Sequence, residues 1–171
     1  MILQTKRLTL REMTADDLGA LQAIMGDAET MAAYAGPFPD TEVAAWLNRQ
    51  LANYQRYGYG LWAVEWEGRV IGQCGLTRQL IAGADVLEVG YLFNRAYWHC
   101  GYATEAARAC IAYAFEHGLA DEVWAQVRDS NTASGRVAER LGMTLKATFT
   151  KHYRGVDMPH LGFSVLERKE G

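Results

Sequence analysis

The amino-acid sequence predicts a mixed α/β (α+β) fold built on a twisted, mostly antiparallel sheet of about seven strands. Three observations carry that expectation. From Tyr59 to Phe93 the apolar residues recur with a period of two in consecutive short segments, which reads as an antiparallel meander. Val86 to Phe93 then leads through a polar, glycine-containing turn into an amphipathic helix and on to a further strand, Glu122 to Arg128. A strand, helix, strand crossover requires the two strands to lie parallel. Lastly, Met143 to Tyr153 and Val156 to Leu166 flank Arg154-Gly155 as a second hairpin.

Taken in order, Leu8 to Glu12 alternates as a half-buried edge strand. Thr14 caps a first helix, with Asp17 in place of the usual Glu of a capping box, and Leu18, Leu21, Ile24 and Met25 keep one apolar face up to Gly26. Residues 34–40 form a loop by their Gly and Pro content. Asp40 or Thr41 then caps a second helix that carries Val43, Trp46, Leu47, Leu51 and Tyr54. Gly60 to Trp66 and Arg69 to Leu76 pair about Glu67-Gly68, and a soft loop at Ile81 to Asp85 precedes the third strand of the meander. The crossover helix runs from Ala103 to about His117. A last helix, Asn131 to Leu141, is closed by Gly142. The element order is β-α-α-β-β-β-α-β-α-β-β. With no linker, repeat or low-complexity segment, residues 1–171 are expected to form a single domain.

Composition removes several classes of function. A chain of 171 residues that is 50% hydrophobic can bury a sizeable core. No apolar run of membrane-spanning length occurs, and Thr5-Lys6-Arg7 interrupts the N-terminus where a secretory leader would continue, so a cytoplasmic location without membrane association is the default expectation. A net charge of −3 without clustered Lys and Arg argues against nucleic-acid binding. Three cysteines without C-x-x-C spacing argue against a disulfide framework or a metal site. Cys74 and Cys110 read as small core residues.

The chemistry concentrates in Val86 to Ala107, VLEVGYLFNRAYWHCGYATEAA. A strand followed by a glycine-containing segment and a helix that starts with small residues is a layout for binding phosphate, because the first N–H groups of a helix have no internal partner. The spacing around Gly101 fits neither G-x-G-x-x-G nor a P-loop. It resembles instead the Q/R-x-x-G-x-G/A pyrophosphate loop of the GNAT N-acetyltransferase superfamily, and more closely the branch that acetylates ribosomal-protein N-termini. That branch typically reads EIGYWL…YWGKGYATEA where this chain has EVGYLF…YWHCGYATEA. His99 and Cys100 replace a usual glycine and a usual basic residue. A second segment, Asp129 to Met143, is similar to the N-x-x-S-x-x-x-x-E-K/R-x-G-F/M stretch of the same superfamily, in the same order along the chain.

The resemblance implies a GNAT fold with helices on both faces of the sheet, and acetyl-CoA as donor to a primary amine, either a protein N-terminus or a small molecule. It also implies direct attack within a ternary complex and, as in many relatives, a homodimer, which the exposed final hairpin would suit. It places the cofactor against Leu92, Phe93, Trp98, His99, Cys100, Gly101, Tyr102, Ala103, Thr104 and Asn131. In that frame Glu88 is the candidate base, directly or through water, against a purely structural role at the loop or opposite an arginine. Ser134 is the candidate proton donor to the leaving thiolate, with Tyr91, Tyr97 and Tyr102 as rivals. Asn131 also reads as a plain helix cap. His99 either lends charge to the phosphates or serves through its backbone, and Cys100 is a loop thiol without the arranged base that covalent catalysis needs. Tyr34, Phe38 and Tyr59 are expected to line the acceptor pocket, against the alternative that each packs in the core. An acyl-CoA sensor without turnover is the reading of a different class, suggested by the altered loop.

Overall fold

The computed structural model describes residues 1–168. Its strands are β1 (Leu3–Gln4), β2 (Thr9–Arg11), β3 (Leu61–Trp66), β4 (Arg69–Ile81), β5 (Ala84–Phe93), β6 (Glu122–Arg128), β7 (Thr144–Tyr153) and β8 (Val156–Leu166). The α-helices are α1 (Leu18–Met25), α2 (Asp40–Tyr57), α3 (Tyr102–Glu116) and α4 (Thr132–Arg140). All eight strands join one sheet in the order β1-β2-β3-β4-β5-β6-β8-β7, antiparallel except where β5 meets β6. The parallel pair lies where the crossover through α3 requires it.

Neighbouring residues of β4 show how the helices divide between the faces, since successive side chains on a strand point to opposite sides. Gln73 accepts from the Trp46 indole of α2 at 2.8 Å and lies against Met25 of α1. Cys74 points the other way, its sulfur 3.7 Å from that of Cys110 on α3. The small residues Ala106, Ala107, Cys110 and Ala114, all buried, let α3 lie close to the sheet. On the same side Trp62 of β3 is fully buried against the Tyr113 ring of α3, with centroids 5.2 Å apart.

Several expectations change in detail. Among the described residues there are eight strands rather than about seven, because Leu3–Gln4 adds a two-residue edge that the short alternation hid. The soft loop at Ile81 to Asp85 is a two-residue turn, Ala82-Gly83, in which both residues have positive φ. Glu67-Gly68 and Arg154-Gly155 adopt the same left-handed pair, and this turn matches the twist of the strands it joins. Alanine at the first position disguised the Ala82 turn. Pro39, not Asp40 or Thr41, precedes the first turn of α2, and no side chain caps it.

One ionic node ties the first helix to the sheet. Asp17 is buried, closes the capping box by accepting from the Thr14 N–H at 2.7 Å, and takes two bonds of 2.8 Å from the Arg11 guanidinium of β2. Arg11 also pairs with Glu65 of β3. The hydrogen bond from Arg11 holds the Asp17 carboxyl below the usual carboxylate range against the opposing effect of burial. A group with a depressed pKa stabilises the fold above its unfolded value, and that contribution is lost as pH falls through the folded one. Asp17→Ala removes the reciprocal half of the capping box and one of the two carboxylates on Arg11, leaving Glu65; we expect about 2 kcal/mol of destabilisation, or a Tm lower by about 4–8 °C at pH 7. The difference from the parent should shrink below about pH 4, as thermal unfolding across pH would show.

Candidate active site

The site begins where β5 parts from β6. The two strands pair only at Leu87↔Val123 and Glu88↔Trp124; β5 then continues to Phe93 along β4, while β6 continues to Arg128 along β8. The Asn94 N–H donates to the Ile71 carbonyl at 2.8 Å, which fixes the phase of the ladder. By strand alternation the backbone groups of Leu92 turn to Gln73 of β4, and those of Val89, Tyr91 and Phe93 turn to the β6 side, where the Val89 N–H completes the last pairing with Trp124 and the groups beyond it meet the gap. The expected splay is therefore present. Leu92 does not present its backbone there, and the Phe93 carbonyl is already taken by the Trp98 indole at 2.9 Å.

Glu88 stands at the fork, the last residue of β5 still paired with β6. Burial pushes its pKa up to about 7, against the hydrogen bond from the Gln126 amide and the positive charge of Lys151. No arginine pairs with it among the described residues, so of the structural alternatives weighed from the sequence the pair with an arginine across the sheet is absent. The Gln126 Oε1 on the same amide is buried and has no donor among the described residues. Tyr34, Tyr153 and Phe38 complete the neighbourhood. The Tyr34 hydroxyl is pushed up to about 12 by burial and by the nearby charge of Glu88, and the Tyr34 and Phe38 rings meet edge to face at 6.3 Å. Phe38 lies 6.5 Å from Tyr153 and carries the Arg154 guanidinium 4.6 Å above its ring. Arg154 also reaches the Gly36 and Pro37 carbonyls and Glu42, and Arg128 reaches the Ala32 carbonyl. The loop between α1 and α2 is thus held from the far half of the sheet. Tyr59 is not part of this group: it is buried, stacks on Tyr57 at 5.6 Å, and neighbours Arg78, which points to the opposite face of the sheet from Glu88.

Across the gap, Tyr91 and Ser134 come together. The Tyr91 hydroxyl donates to the Ser134 carbonyl at 3.1 Å, and the Ser134 hydroxyl lies 3.3 Å from the Tyr91 oxygen. Burial raises the Tyr91 pKa to about 12, so the phenol keeps its proton at neutral pH. Asn131 caps α4 by accepting from the Ser134 N–H at 3.2 Å, which sets where that serine sits. Tyr97 and Tyr102 pack with Trp66 instead, with ring centroids 5.9–6.4 Å apart.

The loop Trp98 to Thr104 leads into the N-terminus of α3. His99 has φ 63° and Gly101 φ 81°. The residue that replaces a usual glycine therefore occupies a glycine-like conformation, which for histidine is strained by roughly 1 kcal/mol. The N–H groups of Tyr102, Ala103 and Thr104 have no partner among the described residues. Such a turn suits a pyrophosphate. Arg7 donates to the Cys100 carbonyl at 2.9 Å and to Glu105 at 2.7 Å, and its guanidinium lies 4.4 Å over the Tyr102 ring. Burial opposes ionisation of Glu105, but hydrogen bonds from Thr5 and Arg7 bring its pKa below the ordinary value. Arg7, Thr104, Arg108 and Arg140 border an open groove of about 620 Å³ beside Gly101. These cations were missed in the sequence. Arg108 follows Thr104 by four residues on one helix face and was readable; Arg7 is 94 positions from Gly101 and gave no signal. Cys100 is exposed beside the Trp98 carbonyl, while Cys74 and Cys110 are the buried core thiols expected.

Comparison with known proteins agrees with this geometry. Residues 7–144 match the family model described as the acetyltransferase (GNAT) domain. The chain is 38% identical to the Bacillus subtilis protein YkkB over 170 residues, covering 98% of this chain and 95% of that one. Among solved structures, an acetyltransferase from Agrobacterium tumefaciens superposes with a TM-score of 0.82 at 28% identity, covering 96% of this chain and 94% of the other. The ribosomal-protein α-N-acetyltransferase RimL, solved in complex with coenzyme A, superposes at 0.79 with 17% identity, covering 96% and 97%. The chain belongs to the GNAT acetyltransferase family, and its cosubstrate is acetyl-CoA.

Proposed function

We propose that this acetyltransferase moves the acetyl group of acetyl-CoA to a primary amine, by direct attack within a ternary complex, with Glu88 as the general base. The observation that carries the proposal is the position of Glu88, a carboxyl with a pKa raised to about 7 by burial, at the fork where β5 leaves β6. A base with a pKa near the working pH both exists in its ionised form and accepts a proton readily. Acetyl-CoA is to lie with its pyrophosphate on the loop Trp98 to Thr104 and its thioester arm along the unpaired edge of Tyr91 and Phe93, where the Tyr91 or Phe93 N–H would polarise the carbonyl. Tyr91, held by Ser134, supplies a hydrogen for the departing sulfur. On this reading Ser134 acts through Tyr91, and Asn131 acts by fixing Ser134. Tyr34, Phe38 and Tyr153 form the wall against which the amine is placed, with Tyr153 in the place expected for Tyr59.

Thiol release from acetyl-CoA, measured against a panel of small amines and peptide N-termini, tests this reading, and release with none of them would overturn it. With an active amine, kcat/KM of the parent is expected to rise with pH through about 7 as Glu88 ionises, and again as the amine loses its own proton. Glu88→Gln should lose the limb near 7 and lower kcat by about 10²–10⁴-fold. The same substitution has a signature without substrate. A carboxyl raised from about 4.5 to about 7 in the folded chain is ionised more readily when unfolded, so stability falls as pH rises through that window. Glu88→Gln should therefore be more stable than the parent at pH 8, by about 1–3 kcal/mol, and no more stable at pH 4. Arg7→Ala removes a cation from the phosphate groove and a brace from the Cys100 turn; acetyl-CoA should bind roughly 10-fold more weakly in calorimetry, with only a small change in Tm because the Arg7–Glu105 pair is partly exposed.

A further inference from the structure

Beside Glu88 the sheet presents a half-face that no helix covers. Register places Trp124 opposite Glu88, Gly162 opposite Gln126, and His160 opposite both Arg128 and Phe149. Lys151 and Tyr153 follow Phe149 at two-residue steps on the same side of β7. α1 and α2 pack over β3 to β5, and among the described residues the half of this face built from β6, β8 and β7 is met from outside the sheet by side-chain hydrogen bonds only at the loop of residues 32–38 and at Glu42 in the first turn of α2, through Arg128 and Arg154. Phe149, His160, Gln126 and Arg128 are half-buried there and Lys151 is exposed, so the surface is a shallow floor leading to the fork.

Several cations on this floor have no ion-pair partner among the described residues. Arg154 is paired with Glu42, and Glu122 spends its oxygens on the Trp124 indole and the Ser164 hydroxyl. Lys151 has no carboxylate partner among the described residues. Arg128 donates to the Ala32 carbonyl alone, and Arg49 of α2 rests over Trp46 at 5.7 Å with no ion pair. The remaining carboxyls nearby are Glu88, bonded to Gln126, and Asp129 at the end of β6. The whole chain is net acidic at −3, so cations without a carboxylate partner are not a consequence of a basic composition.

We propose that the acceptor amine carries an anionic group, a carboxylate or a phosphate, that seats on Lys151 and Arg128 while the amine lies at Glu88. The inference rests on the acetyl-transfer reading and narrows its substrate. Unpaired cations favour a bound anion, disfavour a polyamine, and disfavour the ammonium form of any amine held beside them, so they help present the neutral nucleophile that attack on a thioester needs. The aromatic wall of Tyr34, Phe38 and Tyr153 takes the apolar part of such a molecule, and the donor-free Gln126 Oε1 lies beside the carboxyl that meets its amine.

The test uses amines matched in chain length, with and without an anionic group: β-alanine and 4-aminobutyrate against their amides, and phosphoethanolamine against ethanolamine. Thiol release gives kcat/KM, and calorimetry gives binding in the absence of acetyl-CoA. In the parent the anionic member of at least one series should be preferred by about 10-fold or more, chiefly through KM, and the series that responds identifies carboxylate or phosphate. That ratio should collapse in Lys151→Gln, fall further in Lys151→Glu and return in Lys151→Arg, whereas a merely structural role would lower both members alike. Turnover with no preference for the anionic member, or a ratio that Lys151→Glu leaves unmoved, overturns the anion site and leaves acetyl transfer standing. Binding of an anionic amine that depends on Lys151, with no thiol release from any amine, sustains the anion site and overturns acetyl transfer. Neither binding nor release overturns both.

Discussion

The early parting of β5 and β6 is the constraint on which the rest of this structure depends. Two parallel strands linked through a helix would ordinarily pair along their length, and here they stop after Glu88 and Trp124. The Val89 carbonyl, both backbone groups of Tyr91 and the Phe93 N–H are left facing a gap, and such groups need a partner, whether water or ligand. The fold tolerates the gap because each strand is secured on its other side, β5 along β4 and β6 along β8. A ligand that lies in the gap like an added strand completes the sheet, which makes the opening a place for an extended, amide-rich chain such as the arm of acetyl-CoA.

That one opening also separates the two chemical environments. On the α3 side, a helix N-terminus with free N–H groups, a left-handed turn at His99 to Gly101 and the cations Arg7, Arg108 and Arg140 make a surface for phosphate. On the α1 and α2 side, Glu88 is buried enough to hold its proton to about pH 7, within a wall of tyrosines and beside an unpaired lysine. The fork between the strands is the point of contact between the two. Stability is given up there, in the desolvated carboxyl and the unpaired edge, and recovered in nodes such as Arg11 with Asp17 that lie away from the gap.

Much of this was legible in the sequence because it is local. The order of elements, the parallel crossover, the hairpin at Arg154-Gly155 and the cap at Asn131 follow from spacing and turn chemistry within a few residues. The fork itself was expected only conditionally, since nothing in VLEVGYLF says how many of its residues keep a partner. Contacts between distant segments escaped. Arg7 braces a loop more than ninety positions away, Arg154 at a hairpin tip holds the loop before α2, and Gln126 meets Glu88 across the parallel pair. The family resemblance places Leu92 at the cofactor, and Tyr59 is expected at the acceptor with the loop aromatics; strand register turns the backbone of the one to β4, while the ring of the other packs in a separate cluster.

Amide hydrogen exchange with and without acetyl-CoA would test the central claim most directly. If the gap receives the cosubstrate, exchange should slow at Tyr91 and Phe93 and at Tyr102 to Thr104, and stay unchanged at residues such as Leu92 that already bond to β4. Protection that spares the gap and the α3 N-terminus, or falls on β2 and β3 instead, would contradict the account.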